Sequence, residues 1–327
     1  MTPQRKVLVV GSINVDCTVR VSELPRRGET IHGAEPLFLP GGKGGNQAIS
    51  VVGNGAEAIM IGAVGLDDHG LSAMHSLKEA GVHTQAIAQK SGATGTAYIF
   101  VEDTGENLIV VTAGANAEVS AQEVEEKIAQ FGEENPVVLA QLELPLSAVS
   151  QAAASAQKMG GRFILNLAPA EKISSDLLAN CDPIIVNENE AEVLTGKSIV
   201  SIDDAKALVV ELAAMAKSAV ITLGADGAVF AQGNSSEATH LPSEKVVVVD
   251  TTGAGDAFVG ALAAAFSNGN DLTNAVAAGL KAGAKAVQHF GAQAPKNKFQ
   301  KLERHSTNQN HICVRCEFPG ANNNAAL

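Results

Sequence analysis

The residues best suited to chemistry lie in Asp250-Thr-Thr-Gly-Ala-Gly-Asp256, between a predicted strand at Lys245–Val249 and an Ala-rich helix predicted to begin near Ala257. Two glycines let the backbone approach a ligand closely, and the start of a helix favours negative charge. Backbone N–H groups at 253–255 would then form an anion hole for a phosphoryl group, beside an Asp256 carboxylate that accepts the proton of an attacking hydroxyl. An ordinary turn in which Asp256 caps the helix explains the same spacing equally well.

A second glycine-rich run, Gly41-Gly-Lys-Gly-Gly-Asn46-Gln-Ala48, surrounds one lysine. It differs from a nucleotide-binding P-loop, because Lys43 is followed by Gly44 rather than by Ser or Thr. The run still suits a loop laid against a small polar ligand at the start of a helix. Asn46 has two interpretations, the N-cap of that helix or an amide that binds a hydroxyl group.

Polar side chains follow three other predicted strands. Asn14 and Asp16, after the first strand, offer donors and acceptors for neighbouring hydroxyls of a sugar, or form an Asx turn. Asn187 and Glu190 are spaced to hold a hydrated Mg²⁺ near phosphates, although helix starts attract acidic residues without any ligand. The run Thr222-Leu-Gly-Ala-Asp-Gly227 permits a base or ribose to lie on the backbone, and by itself is a weak signal.

The cysteines are too few for a disulfide scaffold. Cys313-Val-Arg-Cys316, with His305 and His311 upstream, has only loose metal-ligand spacing, so a zinc site there is the minor interpretation. Cys17 and Cys181 are predicted to be buried thiols.

The elements that must position these residues alternate between strand and helix. This order predicts βαβ units and an α/β fold with a mostly parallel sheet covered by helices on both faces. The predicted strands are Val7–Val10, Ala58–Ile61, Val137–Gln141, Phe163–Asn166, Ile184–Val186, Ala219–Thr222 and Ala228–Ala231. The predicted helices include Asn46–Val52, Leu71–Ala80, Ala121–Gln130, Leu146–Lys158, Glu188–Leu194 and Asp203–Lys217.

Two segments interrupt the alternation. Val15–Leu39 alternates without a helix, and Gly95–Thr112 reads as two strands, Ala97–Val101 and Leu108–Thr112, joined by a turn. They are predicted to form a small separate sheet, drawn from about 13–40 and 95–112. The functional interpretation is a lid over a ligand site, and the alternative is a decorative extension.

Composition excludes several classes of protein. The 327 residues carry a net charge of −12 with no Trp and one Tyr, which argues against a nucleic-acid or anionic-membrane surface. The apolar stretch Ala257–Phe266 is too short to span a bilayer, and no signal-peptide pattern precedes the strand after Lys6, so a cytoplasmic location is expected. Residues 296–327 lack any period and are predicted to be a mostly disordered tail after a domain covering 1–295.

Taken in order, these motifs resemble the ribokinase family of carbohydrate kinases over about residues 5–293. Gly41–Asn46 matches the glycine-rich loop of that family, and Asp250–Asp256 matches its Asp-Thr-x-Gly-Ala-Gly-Asp signature. Gln141-Leu-Glu143 and Asn166-Leu-Ala-Pro169 are also similar to segments of the family. The resemblance implies a ribokinase-like fold and transfer of phosphate from ATP to the 5-hydroxyl of D-ribose.

The resemblance also implies roles for individual residues. Asp256 would be the general base, and the anion hole would comprise Gly253, Ala254 and Gly255. Ribose would be bound by Asn14, Asp16, Gly42, Lys43, Asn46 and Glu143. ATP would contact Asn187, Thr222, Gly224, Gly227 and Gly255, with Glu190 organising Mg²⁺.

Members of the family are activated by a monovalent cation, usually K⁺, and form dimers through the lid. The matching cation residues here are Asp250, Thr252, Ala286, His289 and Gly291. Where the family usually has a serine near the cation, this chain has Ala294 and Pro295, and the tail does not read as the family's usual terminal helix.

Three other functions are weighed against this one. A related kinase would act on deoxyribose, another pentose or a nucleoside. A sugar-binding homologue would keep the fold without catalysis, although the intact Asp256 motif speaks against it. A dinucleotide-binding oxidoreductase is disfavoured because no Gly-x-Gly-x-x-Gly follows the first strand.

Overall fold

A computed structural model of the chain describes residues 6–104, 106–233, 235–289 and 291–292. The chain divides into two units, Met1–Ala294 and Pro295–Leu327. The predictions made for the tail, for Cys313–Cys316 with its histidines, and for the departure at Ala294 and Pro295 all lie outside the described residues. The boundary between domain and tail therefore stays a prediction.

The described strands form two separate sheets. A nine-stranded sheet has the order β13-β12-β11-β10-β9-β8-β1-β4-β5, and a four-stranded sheet has the order β3-β2-β6-β7. The strands are β1 (Val7–Val10), β2 (Asn14–Val21), β3 (Leu37–Gly41), β4 (Ala58–Gly65), β5 (Ile87–Lys90), β6 (Gly95–Glu102), β7 (Asn107–Thr112), β8 (Val137–Ala140), β9 (Arg162–Asn166), β10 (Cys181–Asn187), β11 (Ser218–Thr222), β12 (Ala228–Gln232) and β13 (Thr239–Leu241).

Helices cover both faces of the large sheet, and a short 3₁₀ helix, Gly114–Glu118, precedes α3. The helices are α1 (Lys43–Gly53), α2 (Asp68–Glu79), α3 (Ala121–Phe131), α4 (Leu146–Lys158), α5 (Ser175–Asn180), α6 (Glu188–Thr195), α7 (Ile202–Met215), α8 (Ala254–Ser267) and α9 (Leu272–Ala286).

Strand β1 shows why the apolar runs form the centre of the sheet. It pairs in parallel with β4 on one side and β8 on the other, and all four of its residues are fully buried. Leu8 and Val10 belong to the core beneath α3, α4 and α7, whereas Val7 and Val9 belong to the core beneath α1, α2, α8 and α9. A strand buried on both faces has no polar alternation, which is the pattern that its sequence shows.

The predicted α/β fold is confirmed, with an antiparallel hairpin at one edge. In the large sheet, parallel pairing joins β5, β4, β1, β8, β9, β10 and β11, in that spatial order. Strand β12 runs antiparallel to both of its neighbours, β11 and β13. The predicted separate small sheet is also confirmed, because β2 pairs with β3 and β6, and β6 pairs with β7, with no pairing to the large sheet among the described strands. Both Cys17 and Cys181 are buried free thiols, as predicted. Among the described helices none is long and apolar enough to cross a membrane.

The strand predicted at Lys245–Val249 is wrong. The segment has β-branched residues but no neighbouring strand to pair with, since β13 already occupies the edge of the sheet. Its end is held instead by the last turn after α9, where the Val287 carbonyl accepts the N–H groups of Val249 at 2.7 Å and Asp250 at 3.2 Å. The side chain of Val247 consequently stays 82% exposed.

Candidate active site

The candidate site lies at the carboxyl ends of the parallel strands, where β1 has β8 on one side and β4 on the other. Strands β4 and β5 are added on one side of β1 and β8 on the other, and such switch points are where open α/β sheets bind ligands. An open cleft of about 500 Å³ lies at the same edge of the sheet, at the ends of β9, β10 and β11 and the start of α8. Among its lining residues are Lys43, Asn187, Glu190, Thr222, Gly253, Gly255 and Asp256, all predicted from the sequence.

Asp256 lies at the centre of a hydrogen-bonded arrangement. Asn46 Nδ2 donates to its Oδ2 at 3.0 Å, and Gln47 Nε2 donates to its Oδ1 at 2.8 Å. The N-cap of α8 is Gly253, so the interpretation of Asp256 as a helix cap is wrong. Burial raises the pKa of Asp256, while the charge of Lys43 and these two amides act in the opposite direction. A buried carboxylate of raised basicity at a cleft is suited to accept a proton.

Residues 253–255, predicted to form an anion hole, begin α8. Gly253 adopts φ +75, in the left-handed region, and a Cβ there would lie 2.6 Å from the Ala292 Cα. Gly255 is exposed, and a Cβ there would meet nothing within 4 Å. The Ala254 N–H already donates to the Thr251 carbonyl at 3.2 Å, so the open approach for an anion is at the glycines that flank it.

The glycine-rich loop begins α1 and rests on the end of β1. Gly42 is the N-cap, so the interpretation of Asn46 as the N-cap is wrong, and its amide reaches Asp256 instead. The Gly44 N–H donates to Ser12 Oγ at 3.3 Å and the Gly45 N–H donates to the Ser12 carbonyl at 2.9 Å. The Ser12 backbone and hydroxyl therefore fix the position from which α1 starts.

Glu143 and Asp16 bring further carboxylates to the same place. The Glu143 carboxylate accepts hydrogen bonds from Ser12 Oγ and, at 3.1 Å, from the Lys43 N–H. Burial, followed by the negative charges of Glu143 and Asp256, raises the pKa of Asp16 to about 6, and the charge of Lys43 opposes this. These acceptors, gathered around one ammonium group, match the hydroxyls of a polyol.

Asn14 lies in β2, so the Asx-turn interpretation is wrong. Its Oδ1 accepts from Asn116 Nδ2 at 2.8 Å, and Asn116 is itself held by the Ile13 N–H, which donates to its Oδ1 at 3.0 Å. Because the Asn14 oxygen is occupied, its amide nitrogen is the group presented to a ligand. Asn116, in the 3₁₀ helix, is a supporting residue that sequence reasoning missed, since a single Asn between alanines carries no signal.

Asn187 and Glu190 form a reciprocal capping box at the start of α6, each accepting a backbone N–H of the other at 2.8 Å. The capping interpretation is therefore confirmed, and both side chains nevertheless line the cleft. Burial is the main cause that raises the pKa of Glu190, and the charges of Asp256 and Glu188 add to it. A buried carboxylate among other negative charges fits Mg²⁺, which takes one or two carboxylates together with substrate phosphates.

The nucleotide-side turn begins beside Asn187. Thr222, the last residue of β11, is in register with Asn187 of β10, which places both at the same sheet edge. Gly224 begins the short turn that follows, and Gly227 closes it before β12. Thr222 lines the cleft, whereas Gly224 and Gly227 are not among its lining residues.

The residues predicted to bind a monovalent cation meet at the end of α9. The Asp250 carboxylate accepts the N–H groups of Thr252 and Gly291, each at 2.9 Å. Burial would raise the pKa of Asp250, but these hydrogen bonds outweigh it and hold the pKa below its ordinary value. The Ala286 carbonyl accepts from the His289 N–H at 3.1 Å. An ionised carboxylate together with backbone carbonyls is an all-oxygen donor set, which fits K⁺.

Three buried amides lie within the sequence motifs, and no role was predicted for them. Gln47 follows Asn46, Gln141 begins Gln141-Leu-Glu143, and Asn166 ends β9. All three are buried, and Gln47 contacts Asp256 directly. The available signal was a polar residue at the carboxyl end of an apolar strand, which is where Gln141 and Asn166 lie.

Residues 4–298 match the profile of the pfkB family carbohydrate kinases. The chain belongs to this family. The matched region includes Asp256 and the residues that line its cleft.

Two ribokinases of the pfkB family illustrate the likeness. The chain is 36% identical to a ribokinase of Schizosaccharomyces pombe over 297 residues, which span 88% of this chain and 93% of that protein. It is 39% identical to a ribokinase of Mus musculus over 267 residues, which span 79% of this chain and 80% of that protein. A structure of Arabidopsis thaliana ribokinase complexed with ribose and ATP is similar with a TM-score of 0.79 and 28% identity, covering 88% of this chain and 94% of that chain.

Proposed function

We propose that this kinase transfers the γ-phosphoryl group of ATP to the 5-hydroxyl of D-ribose. The observation that carries the proposal is the position of Asp256, which is hydrogen-bonded by the sugar-side loop through Asn46 and lies at the glycine-rich start of α8. One carboxylate thus joins the two halves of the cleft. The ribokinases described above support the choice of substrate.

The sugar side is assigned to the polar groups around Lys43. Asn14 presents an amide donor, and the Asp16 and Glu143 carboxylates accept from hydroxyls. Asn46 belongs to both the sugar side and the base, because it lies in the first turn of α1 and its amide donates to Asp256. The proposed ribose-binding residues are Asn14, Asp16, Gly42, Lys43, Asn46 and Glu143.

In the reaction, the Asp256 carboxylate takes the proton of the 5-hydroxyl as the hydroxyl oxygen attacks the γ-phosphorus. The bond between that phosphorus and the bridging oxygen breaks, and ADP leaves with the electron pair. Developing charge on the phosphoryl oxygens faces the start of α8, with the N–H groups of Gly253 and Gly255, on either side of Ala254, as the proposed anion hole.

The nucleotide would contact Asn187, Thr222, Gly224, Gly227 and Gly255. Glu190 and Asn187 would hold Mg²⁺, which neutralises phosphate charge when bound. Asp250, Thr252, Ala286, His289 and Gly291 are the proposed K⁺ ligands. The proposed location is the cytoplasm.

The decisive experiment measures ADP release by the purified chain with ATP, Mg²⁺ and either K⁺ or Na⁺. D-ribose, deoxyribose, other pentoses and nucleosides are compared as acceptors. Fastest release with D-ribose supports the proposal, and a preference for another acceptor replaces the substrate. Saturable ribose binding without ADP release would instead identify a sugar-binding homologue.

Sugar affinity is expected to depend on pH through Asp16. Only the ionised carboxylate accepts two hydroxyl hydrogen bonds, and its pKa of about 6 lies above the ordinary value. Affinity should therefore be full above pH 7 and fall as pH decreases through 6, by about tenfold at pH 5. Calorimetric titration of D-ribose measures it. Asp16→Asn should bind weakly with a flat profile, and an unchanged slope in that variant would contradict the assignment.

The four-stranded sheet is proposed as the dimer contact. Edge strand β7 leaves Leu108, Ile109, Val110 and Val111 between 46% and 54% exposed, an apolar patch of the kind that marks an interface. We expect Ile109→Asp to shift the protein from dimer to monomer in sedimentation velocity. Val200→Asp, at an 89% exposed position elsewhere, is the matched control and should leave the dimer intact. A monomeric unsubstituted protein would refute the contact.

A further inference from the structure

A line of buried amides lies behind the carboxylate of Asp256. Gln141 Nε2 donates to Gln47 Oε1 at 2.6 Å. Gln47 Nε2 in turn donates to Asp256 Oδ1 at 2.8 Å and to Asn166 Oδ1 at 2.9 Å. Gln47 and Gln141 are fully buried and are not among the residues that line the cleft, whereas Asn166 is.

The direction of this line is set at Asp256. An ionised carboxylate only accepts hydrogen bonds, so Gln47 must turn its nitrogen toward it. Both N–H groups of Gln47 are then used, and its oxygen must be satisfied from the other side by Gln141. The unsatisfied group lies at the end of the line farthest from Asp256, where the buried Gln141 Oε1 has no hydrogen-bond partner among the described residues. A core that needed only to be filled would not retain such an acceptor.

Close packing surrounds these amides. The Gln141 oxygen lies so close to Gly11 that a Cβ there would be 2.1 Å from it. The helices that carry Gln47 and Asp256 are also joined directly, since Ser50 Oγ donates to the Ala257 carbonyl at 2.8 Å. Gln47 therefore meets Asp256 across a directly joined helix pair, with its amide hydrogen-bonded at both ends.

We propose that Gln47, held by Gln141, is a positioning residue that fixes the orientation of the Asp256 carboxylate for proton transfer. The inference rests on the proposed function of Asp256 as the general base. Asn46 holds one carboxylate oxygen and Gln47 holds the other, so neither can rotate away from the attacking hydroxyl. Gln47 affects proton transfer and not the binding of sugar, because its amide nitrogen contacts the base and Asn166.

The test compares Gln47→Met and Gln141→Met with the full-length chain, using steady-state ADP release and equilibrium binding of D-ribose. Methionine has a similar length and no hydrogen-bonding amide. Loss of a supporting partner of this kind lowers activity by about 10- to 100-fold, and this fall is expected in the kcat of Gln47→Met with sugar KM nearly unchanged. Gln151→Met, which removes an amide that contacts Ser155 on α4, is the matched control and should keep full kcat.

A double variant separates positioning from packing. If Gln141 acts through Gln47, its substitution should lower kcat several-fold alone and add nothing to Gln47→Met. Binding of D-ribose and the midpoint of thermal unfolding report whether each variant is folded. Should Gln47→Met not fold, the Gln141→Met result decides, since the effect on kcat with unchanged KM is expected there as well.

The outcomes distinguish this inference from the proposed function. If the unsubstituted chain phosphorylates D-ribose and both glutamine variants keep its kcat, the positioning role is overturned and the function stands. Additive effects, or a rise in KM that matches the fall in kcat/KM, would also overturn it. If the unsubstituted chain turns over no sugar at all, both are overturned.

Discussion

Substitution of Asp256 by Asn is expected to lower kcat by about 10²- to 10⁴-fold, the usual contribution of general-base catalysis. The amide of Asn has nearly the shape of the carboxylate but takes no proton from the 5-hydroxyl. Ribose binding should be largely retained, because most hydrogen bonds assigned to the sugar come from β2, the glycine-rich loop and Glu143. ADP release gives kcat, and calorimetric titration of D-ribose gives the affinity.

The control for this substitution is Asp203→Asn, which changes an exposed carboxylate on α7 whose ion pair with Lys206 lies at the surface. Exposed ion pairs contribute little, so its kcat and unfolding midpoint should match the unsubstituted protein. Unchanged turnover in Asp256→Asn would remove Asp256 from the chemical step. Equal losses of turnover and of sugar affinity would mean that it binds sugar instead.

The second large effect is expected from Gly44→Ala. An added Cβ would lie 2.6 Å from the Gly11 carbonyl carbon and 2.6 Å from the Ser12 nitrogen, both of them backbone atoms. These atoms cannot move without displacing the end of β1 or the start of α1, so the free energy of unfolding should fall by about 3 kcal/mol or more. The displaced helix also carries Lys43 and Asn46, and activity should fall with it. Urea unfolding and ADP release measure the two effects.

Gly45→Ala is the matched control one residue further along the same helix. The Cβ there would lie 3.7 Å from Leu77 Cδ2, an ordinary contact, and alanine favours the helix by about 0.5–1 kcal/mol over glycine. Its free energy of unfolding should therefore be unchanged or raised. Equal losses in the two variants would show that the loop needs glycine for flexibility rather than for close approach at position 44.

The fold was predictable because burial on both faces gives its strands an unmistakable composition. Runs such as Val7–Val10 and Val137–Ala140 are apolar throughout, and the helices between them repeat small apolar residues on one side. The same composition misled at Lys245–Val249, since a β-branched run predicts a strand whether or not a neighbour is available to pair with it. Partner availability is a property of the assembled sheet.

The candidate site was predictable where a motif is local and less so where it depends on contacts between distant segments. Asp256 and the glycine-rich loop are visible as short runs of residues. The bond between Gln47 and Asp256 joins positions more than 200 apart, and Asn116 supports Asn14 across about 100 positions. No local pattern reports such pairs, so their roles emerge only once the helices and strands are assembled.

The parallel pairing of β2 with β6 has a consequence for how the protein folds. It joins residues 14–21 to residues 95–102. The chain between them contains α1, β4 and α2, and β1 lies just before β2. Closing so long a loop is entropically costly before the large sheet has brought its ends together. Asn14 and Asp16 lie on β2, so these sugar-binding groups should reach their native places after β1 has paired with β4, which is closer to it along the chain. A chain in which β2 has not yet paired with β6 would then have no capacity to bind ribose.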